Sequence, residues 1–66
     1  MVIKINGKTE SVEKAYTITD LVSKKGLSPE KIVIEHNLRI VPKEEWDGIA
    51  LKDNDAIEIV SFVGGG

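Results

Sequence analysis

Hydrophobic and polar positions divide the chain into short segments with different periods. Residues 1–5 alternate, with Ile3 and Ile5 on one face, and a period of two predicts a strand. Asn6-Gly7 follows, and because both residues tolerate positive φ the pair suits a two-residue type I′ turn. Residues 9–13 are therefore expected to return as the antiparallel partner. Residues 14–16 carry no strong period. From Thr17 the spacing becomes helical: Thr17 can cap, Asp20 sits in the first turn near the positive end of the dipole, and Ile18, Leu21, Val22 and Lys25 share a face. Lys24 and Lys25 fall in the last turn, Gly26 suits the C′ position, and Leu27 suits the hydrophobic contact of a Schellman cap before Ser28-Pro29 ends the helix. The result is one helix of about two turns.

The second half reads as short strands and turns. Residues 31–35 form an apolar run bounded by Pro29 and Asn37, too short for a helix and read as a central strand; its inward-facing residues stay open at this point. Pro42 lacks a donor and pushes Val41 into an extended conformation, after which Lys43-Glu44-Glu45-Trp46 has helical propensity for a turn and Trp46 anchors it on the core. Asp47-Gly48 is a turn, residues 49–51 a short strand, and residues 52–55 a turn in which Asn54 takes positive φ. The last strand starts at Ala56 and runs to about Phe62, with Ile57 and Ile59 on one face and Glu58, Val60 and Phe62 on the other. This order predicts an α+β domain, a mixed sheet of four to five strands packed on one helix. Strands one and five, if adjacent, are parallel, and that is the outline of a β-grasp fold.

Composition narrows the function. A 66-residue chain buries only about 60% of the surface it exposes when unfolded, so an internal active-site cavity is not expected. There is no Cys and one His, which excludes zinc-finger, iron–sulfur, redox and disulfide-scaffold readings. No apolar stretch is long enough to cross a membrane or to form a signal peptide, so the expected location is the cytoplasm. With nine basic and eleven acidic residues and a net charge of -2, there is no basic stripe for nucleic acid. Ile and Val together number 16 against 7 for Leu and Ala, a bias toward strand.

Candidate chemistry is sparse until the end of the chain. His36 has no nucleophile beside it, and Glu35, its neighbour along a strand, points to the opposite face; a solvent-facing or hydrogen-bonded histidine is the simpler reading. Asp53-Asn54-Asp55 resembles the start of a calcium loop, but no Gly follows at the sharp turn and no glutamate completes it, so it is read as a turn and no metal site is expected. Gly7, Gly26 and Gly48 are isolated, so the chain has no phosphate-binding loop and no ATP site of its own. Val60-Ser61-Phe62-Val63 then runs into Gly64-Gly65-Gly66. Three glycines gain nothing for stability, yet without Cβ atoms they let a backbone be gripped closely in a narrow tunnel. A carboxylate at that end is a poor electrophile and needs activation, normally adenylation, with the nucleotide supplied by a partner. Residues 1–63 are read as the folded domain and residues 64–66 as a flexible glycine tail, with outward-facing Val60 and Phe62 as an apolar docking patch beside it.

Asn6-Gly7, Ile40-Val41-Pro42-Lys43 with Trp46, Leu51 through Asp53-Asn54-Asp55 to Val60, and Phe62-Val63-Gly64-Gly65-Gly66 together resemble the thiamine-biosynthesis sulfur-carrier family over essentially the whole chain. The glycine end is shared by ubiquitin-like proteins generally; the Val-Pro-basic-x-x-Trp segment is more specific. Lys43 stands where arginine is common and Asn54 where glycine is common. The resemblance implies a carrier, not an enzyme, that binds no cofactor. Its Gly66 carboxylate is adenylated by an E1-like, ATP-using adenylyltransferase, converted to a thiocarboxylate with sulfur from a cysteine desulfurase, and used by thiazole synthase. Gly64 and Gly65 would then permit threading, and Val60, Phe62 and Val63 would dock the partners. Three other readings share the glycine end: a carrier for molybdopterin synthesis or tRNA thiolation, a ubiquitin-like modifier, and a binding module with an inert tail.

Overall fold

The computed structural model describes residues 1–62 as a five-stranded mixed sheet with one α-helix across it, the β-grasp arrangement. The strands are β1 (Val2–Ile5), β2 (Lys8–Ser11), β3 (Ile32–His36), β4 (Arg39–Ile40) and β5 (Ala56–Ser61), in the spatial order β2-β1-β5-β3-β4. β1 and β5 run parallel, pairing Lys4 with Ala56 and Ile5 with Ile57, as their alternation and long crossover require. The other pairings are antiparallel. β5 holds the middle of the sheet, and β3, the apolar run read as a central strand, is interior beside it, paired with β5 on one edge and with β4 on the other.

Local signals near the N-terminus translate directly into structure. Asn6 and Gly7 both have positive φ, 51° and 82°, as a type I′ turn demands. Helix α1 (Ile18–Lys24) starts at a full capping box: Thr17 Oγ1 accepts from the Asp20 amide at 3.1 Å and Asp20 Oδ2 accepts from the Thr17 amide at 2.9 Å. It ends in a Schellman motif, with Gly26 at φ 67° donating to the Ser23 carbonyl and Leu27 to the Val22 carbonyl, both at 3.1 Å.

Three expectations are corrected. β2 ends at Ser11, two residues early. Residues 49–51 are not a strand: they cross the helix entry through a single bridge, Thr17 to Ala50, flanked by Ile18 N–H to the Ile49 carbonyl and Leu51 N–H to the Tyr16 carbonyl. The strand is instead β4, joined to β3 by Asn37-Leu38, both at positive φ, 50° and 73°. This second type I′-like turn carries Leu where glycine would advertise it, so composition gave no turn signal.

One core holds these pieces together. Ile3, Ile5, Ile32, Ile34 and Ile57 point from the sheet toward Ile18, Leu21 and Val22 of the helix, and Val41, Trp46 and Leu51 close the side. Strand alternation thus answers which residues of β3 turn inward: Ile32 and Ile34. Trp46, on a 3₁₀ segment over Lys43–Gly48, is buried and its indole N–H reaches the Val41 carbonyl at 2.9 Å, so the anchor is apolar in body and satisfied at its polar tip. Among the described residues no helix is long and apolar enough to cross a membrane.

Candidate functional site

The last strand leads toward the glycine run, and the structure holds it on both edges. On the β1 side the ladder runs from the Lys4 amide to the Asp55 carbonyl at 2.9 Å and from the Asn6 amide to the Ile57 carbonyl at 2.8 Å. There β1 turns away. The Asn6 side chain carries the ladder one step further: Oδ1 accepts from the Ile59 amide at 2.7 Å and Nδ2 donates to the Ile59 carbonyl at 3.2 Å. On the β3 side the pairing continues through Ser61 opposite Ile32, and the Phe62 amide still donates to the Lys31 carbonyl at 3.0 Å. The described chain therefore ends at the rim of the sheet.

The register sorts side chains by face, since directly paired residues share one. Val60 stands opposite Val33, and Glu58 opposite Glu35, which is itself paired with Ile40. These residues occupy the face away from the helix, with Phe62 following Val60 in alternation. Val60 is 56% exposed, Ile40 64% and Phe62 49%, so an apolar patch borders the point where the chain leaves the sheet. A pair of like charges, Glu35 and Glu58, lies directly across the strands beside it.

The other end of β5 carries the histidine weighed as a catalytic candidate. His36 Nε2 lies 2.8 Å from Asp55 Oδ2, which also accepts from the Lys52 amide at 2.8 Å, while Oδ1 accepts from Asn37 Nδ2 at 3.0 Å. Asn37 Oδ1 in turn accepts from the Ala56 amide at 2.8 Å. Burial by itself would push the Asp55 carboxyl up, but the hydrogen bonds from His36, Asn37 and the Lys52 amide, with the charge of His36, outweigh it and hold the group below its ordinary value of 3.8. Both Asp55 oxygens are committed to protein donors, so the 52–55 turn is a structural clasp. The hydrogen-bonded reading of His36 holds.

Of the residues picked from sequence, Val60 and Phe62 come together on one exposed face beside the chain's exit. Val63, Gly64, Gly65 and Gly66 lie outside the described residues. The reading missed Val33 and Ile40, which share that face. For Val33 the signal existed, since alternation with buried neighbours would have turned it outward, but the apolar run 31–35 left both faces open. Ile40 depended on the unrecognised Asn37-Leu38 turn. The turn propensity of Asn6 carries no sign of its clasp on Ile59, which joins residues 53 apart in sequence.

Residues 3–66 match the family model described as the ThiS family. The chain is 40% identical over 65 residues to the sulfur carrier protein ThiS of Bacillus subtilis, covering 97% of this chain and 98% of that one. It is also 38% identical over 66 residues to the thiazole synthase of Paramagnetospirillum magneticum, all of this chain but only 20% of the length of that protein. The crystal structure of the thiamine biosynthesis protein ThiS from Geobacter metallireducens superposes with a TM-score of 0.82 at 33% identity, covering 100% of both chains.

Proposed function

Because this chain belongs to the ThiS family, we propose that it is a sulfur carrier in thiamine biosynthesis, with Gly66 as the residue that carries the sulfur. The observation that supports this reading best is that the family match runs through Gly64-Gly65-Gly66, directly beyond a strand pinned on both edges. In the proposed reaction a Gly66 carboxylate oxygen attacks the α-phosphorus of ATP and pyrophosphate leaves. A cysteine desulfurase forms a persulfide, a thiol reduces it to hydrosulfide and is itself oxidised to a disulfide, and the hydrosulfide attacks the acyl carbon; AMP leaves and a thiocarboxylate remains. ATP and the catalytic groups belong to an E1-like adenylyltransferase, so this chain is a co-substrate. Gly64 and Gly65 thread the partner's tunnel, while Val60, Phe62 and Val63 dock it, joined by Val33 and Ile40 on the same face.

Thiazole synthase is the acceptor this reading favours over molybdopterin or tRNA thiolation. Two proteins named thiazole synthase contain a stretch alignable with all of this chain, at 38% and 35% identity, which supports pairing of the two activities.

The test is an intact-mass measurement after incubation with the adenylyltransferase, ATP, a cysteine desulfurase, cysteine and a thiol reductant. A sulfur-for-oxygen shift that fragmentation places on Gly66 is expected, and it disappears when Gly65 and Gly66 are deleted while the melting temperature stays unchanged. Adducts to target lysines would establish the modifier reading instead. An unaltered terminus would leave the inert binding module.

A further inference from the structure

The face of the sheet away from the helix mixes apolar side chains with two carboxylates. Register arranges them in rows: Val60 stands across from Val33, and the next row holds Glu58, Glu35 and Ile40 side by side. A polar residue on a solvated face is ordinary, and Thr, Ser or Lys would serve. Two carboxylates directly opposite are a costlier choice, because like charges across a strand pair destabilise the sheet. Among the described residues the lysine and arginine ion pairs join Lys25 to Glu10, Arg39 to Glu45 and Lys43 to Glu30, so no cation of the chain relieves Glu35 or Glu58. Arg39 alternates to the other face, and Lys4, across from Ala56, shares the outer face without pairing with Glu58.

The position of the pair decides what can cover it. Glu35 lies between Val33 along its own strand and Ile40 across the sheet, and is already half-buried; Glu58 lies between Ala56 and Val60. A protein surface that covers Val33, Val60 and Ile40 therefore takes both carboxylates out of water. Without a cation that is strongly unfavourable, so a wholly apolar partner is repelled at the centre of the patch it would fit. A second copy of this chain fares no better, since two outer faces related by a two-fold axis bring four glutamates together. A cation from the partner removes both penalties. Of the two side-chain cations the guanidinium fits better: it is planar, weakly hydrated and carries five N–H donors, enough to donate to both carboxylates at once, whereas an ammonium is a compact and strongly hydrated charge.

We propose that the outer face is completed by an arginine of the E1-like adenylyltransferase, seated across Glu35 and Glu58 between the apolar contacts to Val33, Val60 and Ile40. This rests on the carrier reading above and deepens it by stating the chemistry of the partner's surface. The adenylyltransferase is the occupant because activation precedes every acceptor, whether thiazole, molybdopterin or tRNA. The like-charge pair costs the free chain stability and is relieved only in the complex.

The experiment compares the full chain with its Glu35→Gln, Glu58→Gln and Glu58→Lys variants. Glutamine keeps the shape and removes the charge; lysine gives Glu35 a cross-strand partner within the chain. Thermal midpoints are expected to stay or rise in all three, since each removes a like-charge contact. The Kd for the adenylyltransferase, by titration calorimetry, is expected to rise about tenfold or more in the glutamine variants and about 100-fold or more in Glu58→Lys, where cation meets cation. In ATP–pyrophosphate exchange the loss falls on KM for the carrier, with kcat changed less. Affinity in the glutamine variants equal to or tighter than that of the unaltered chain would overturn the inference while the carrier reading stood, as would a loss confined to kcat. A dimer of the chain alone, seen by sedimentation and strengthened by Glu58→Gln, would make a second copy the occupant and overturn it too. If the unaltered chain neither binds the adenylyltransferase nor supports pyrophosphate exchange, the carrier reading fails first and takes this inference with it.

Discussion

Asp55 joins three segments through one carboxylate: the Lys52 amide at the start of its own turn, His36 at the end of β3 and Asn37 in the β3–β4 turn. The group is nearly buried, so each of these bonds is worth more than on the surface, and loss of the charge leaves donors unsatisfied. Its carboxyl is held below 3.8 in the folded chain, so the folded state binds the proton less readily than the unfolded state. The stabilisation is therefore complete above the unfolded value and disappears as pH falls through the lowered one. Asp55→Asn is expected to cost about 1–3 kcal/mol at neutral pH. It should also flatten the acid limb of stability, measured as urea midpoints across a pH series; an acid limb as steep as that of the unaltered chain would refute the assignment. Sequence reading placed Asp55 correctly in a turn, but its role was invisible because His36 and Asn37 lie 19 and 18 residues away.

The two hairpins use the same backbone geometry with different side chains. At the first, Asn6-Gly7 places glycine at positive φ without cost; at the second, Leu38 sits at φ 73° with 93% of its surface exposed. A leucine in that conformation is strained by roughly 1–2 kcal/mol, partly offset by the greater freedom glycine would have in the unfolded chain. Leu38→Gly should therefore raise stability by up to about 1 kcal/mol, read as a higher thermal or urea midpoint. A lower midpoint would mean that the exposed leucine makes contacts that compensate the strain. The helix contrasts with this hairpin: cap, spacing and stop signals all agreed, and α1 formed where they pointed.

At the scale of the whole molecule, β5 divides the work between two faces. Ile57 belongs to the core, while Val60 and Phe62 remain outside at the rim. Phe62→Ala should therefore weaken binding to the adenylyltransferase by roughly tenfold or more while shifting stability by less than about 1 kcal/mol, measured by titration calorimetry beside a melting curve. Unchanged affinity would retire the docking face. The fold was largely legible because alternation, caps and turn residues act over a few positions: they determined the first hairpin, the helix with both ends and the outward direction of Val60 and Phe62. Tertiary structure alone decided that β5 takes the middle of the sheet, that residues 49–51 only bridge the helix entry, and that Arg39–Ile40 supplies the edge strand. It also decided the pairing of Val33 with Val60 and the grip of Asn6 on Ile59. The physical reason is that strand order and cross-strand register are set by contacts between residues far apart in sequence, whose energies depend on which neighbours the complete sheet brings together.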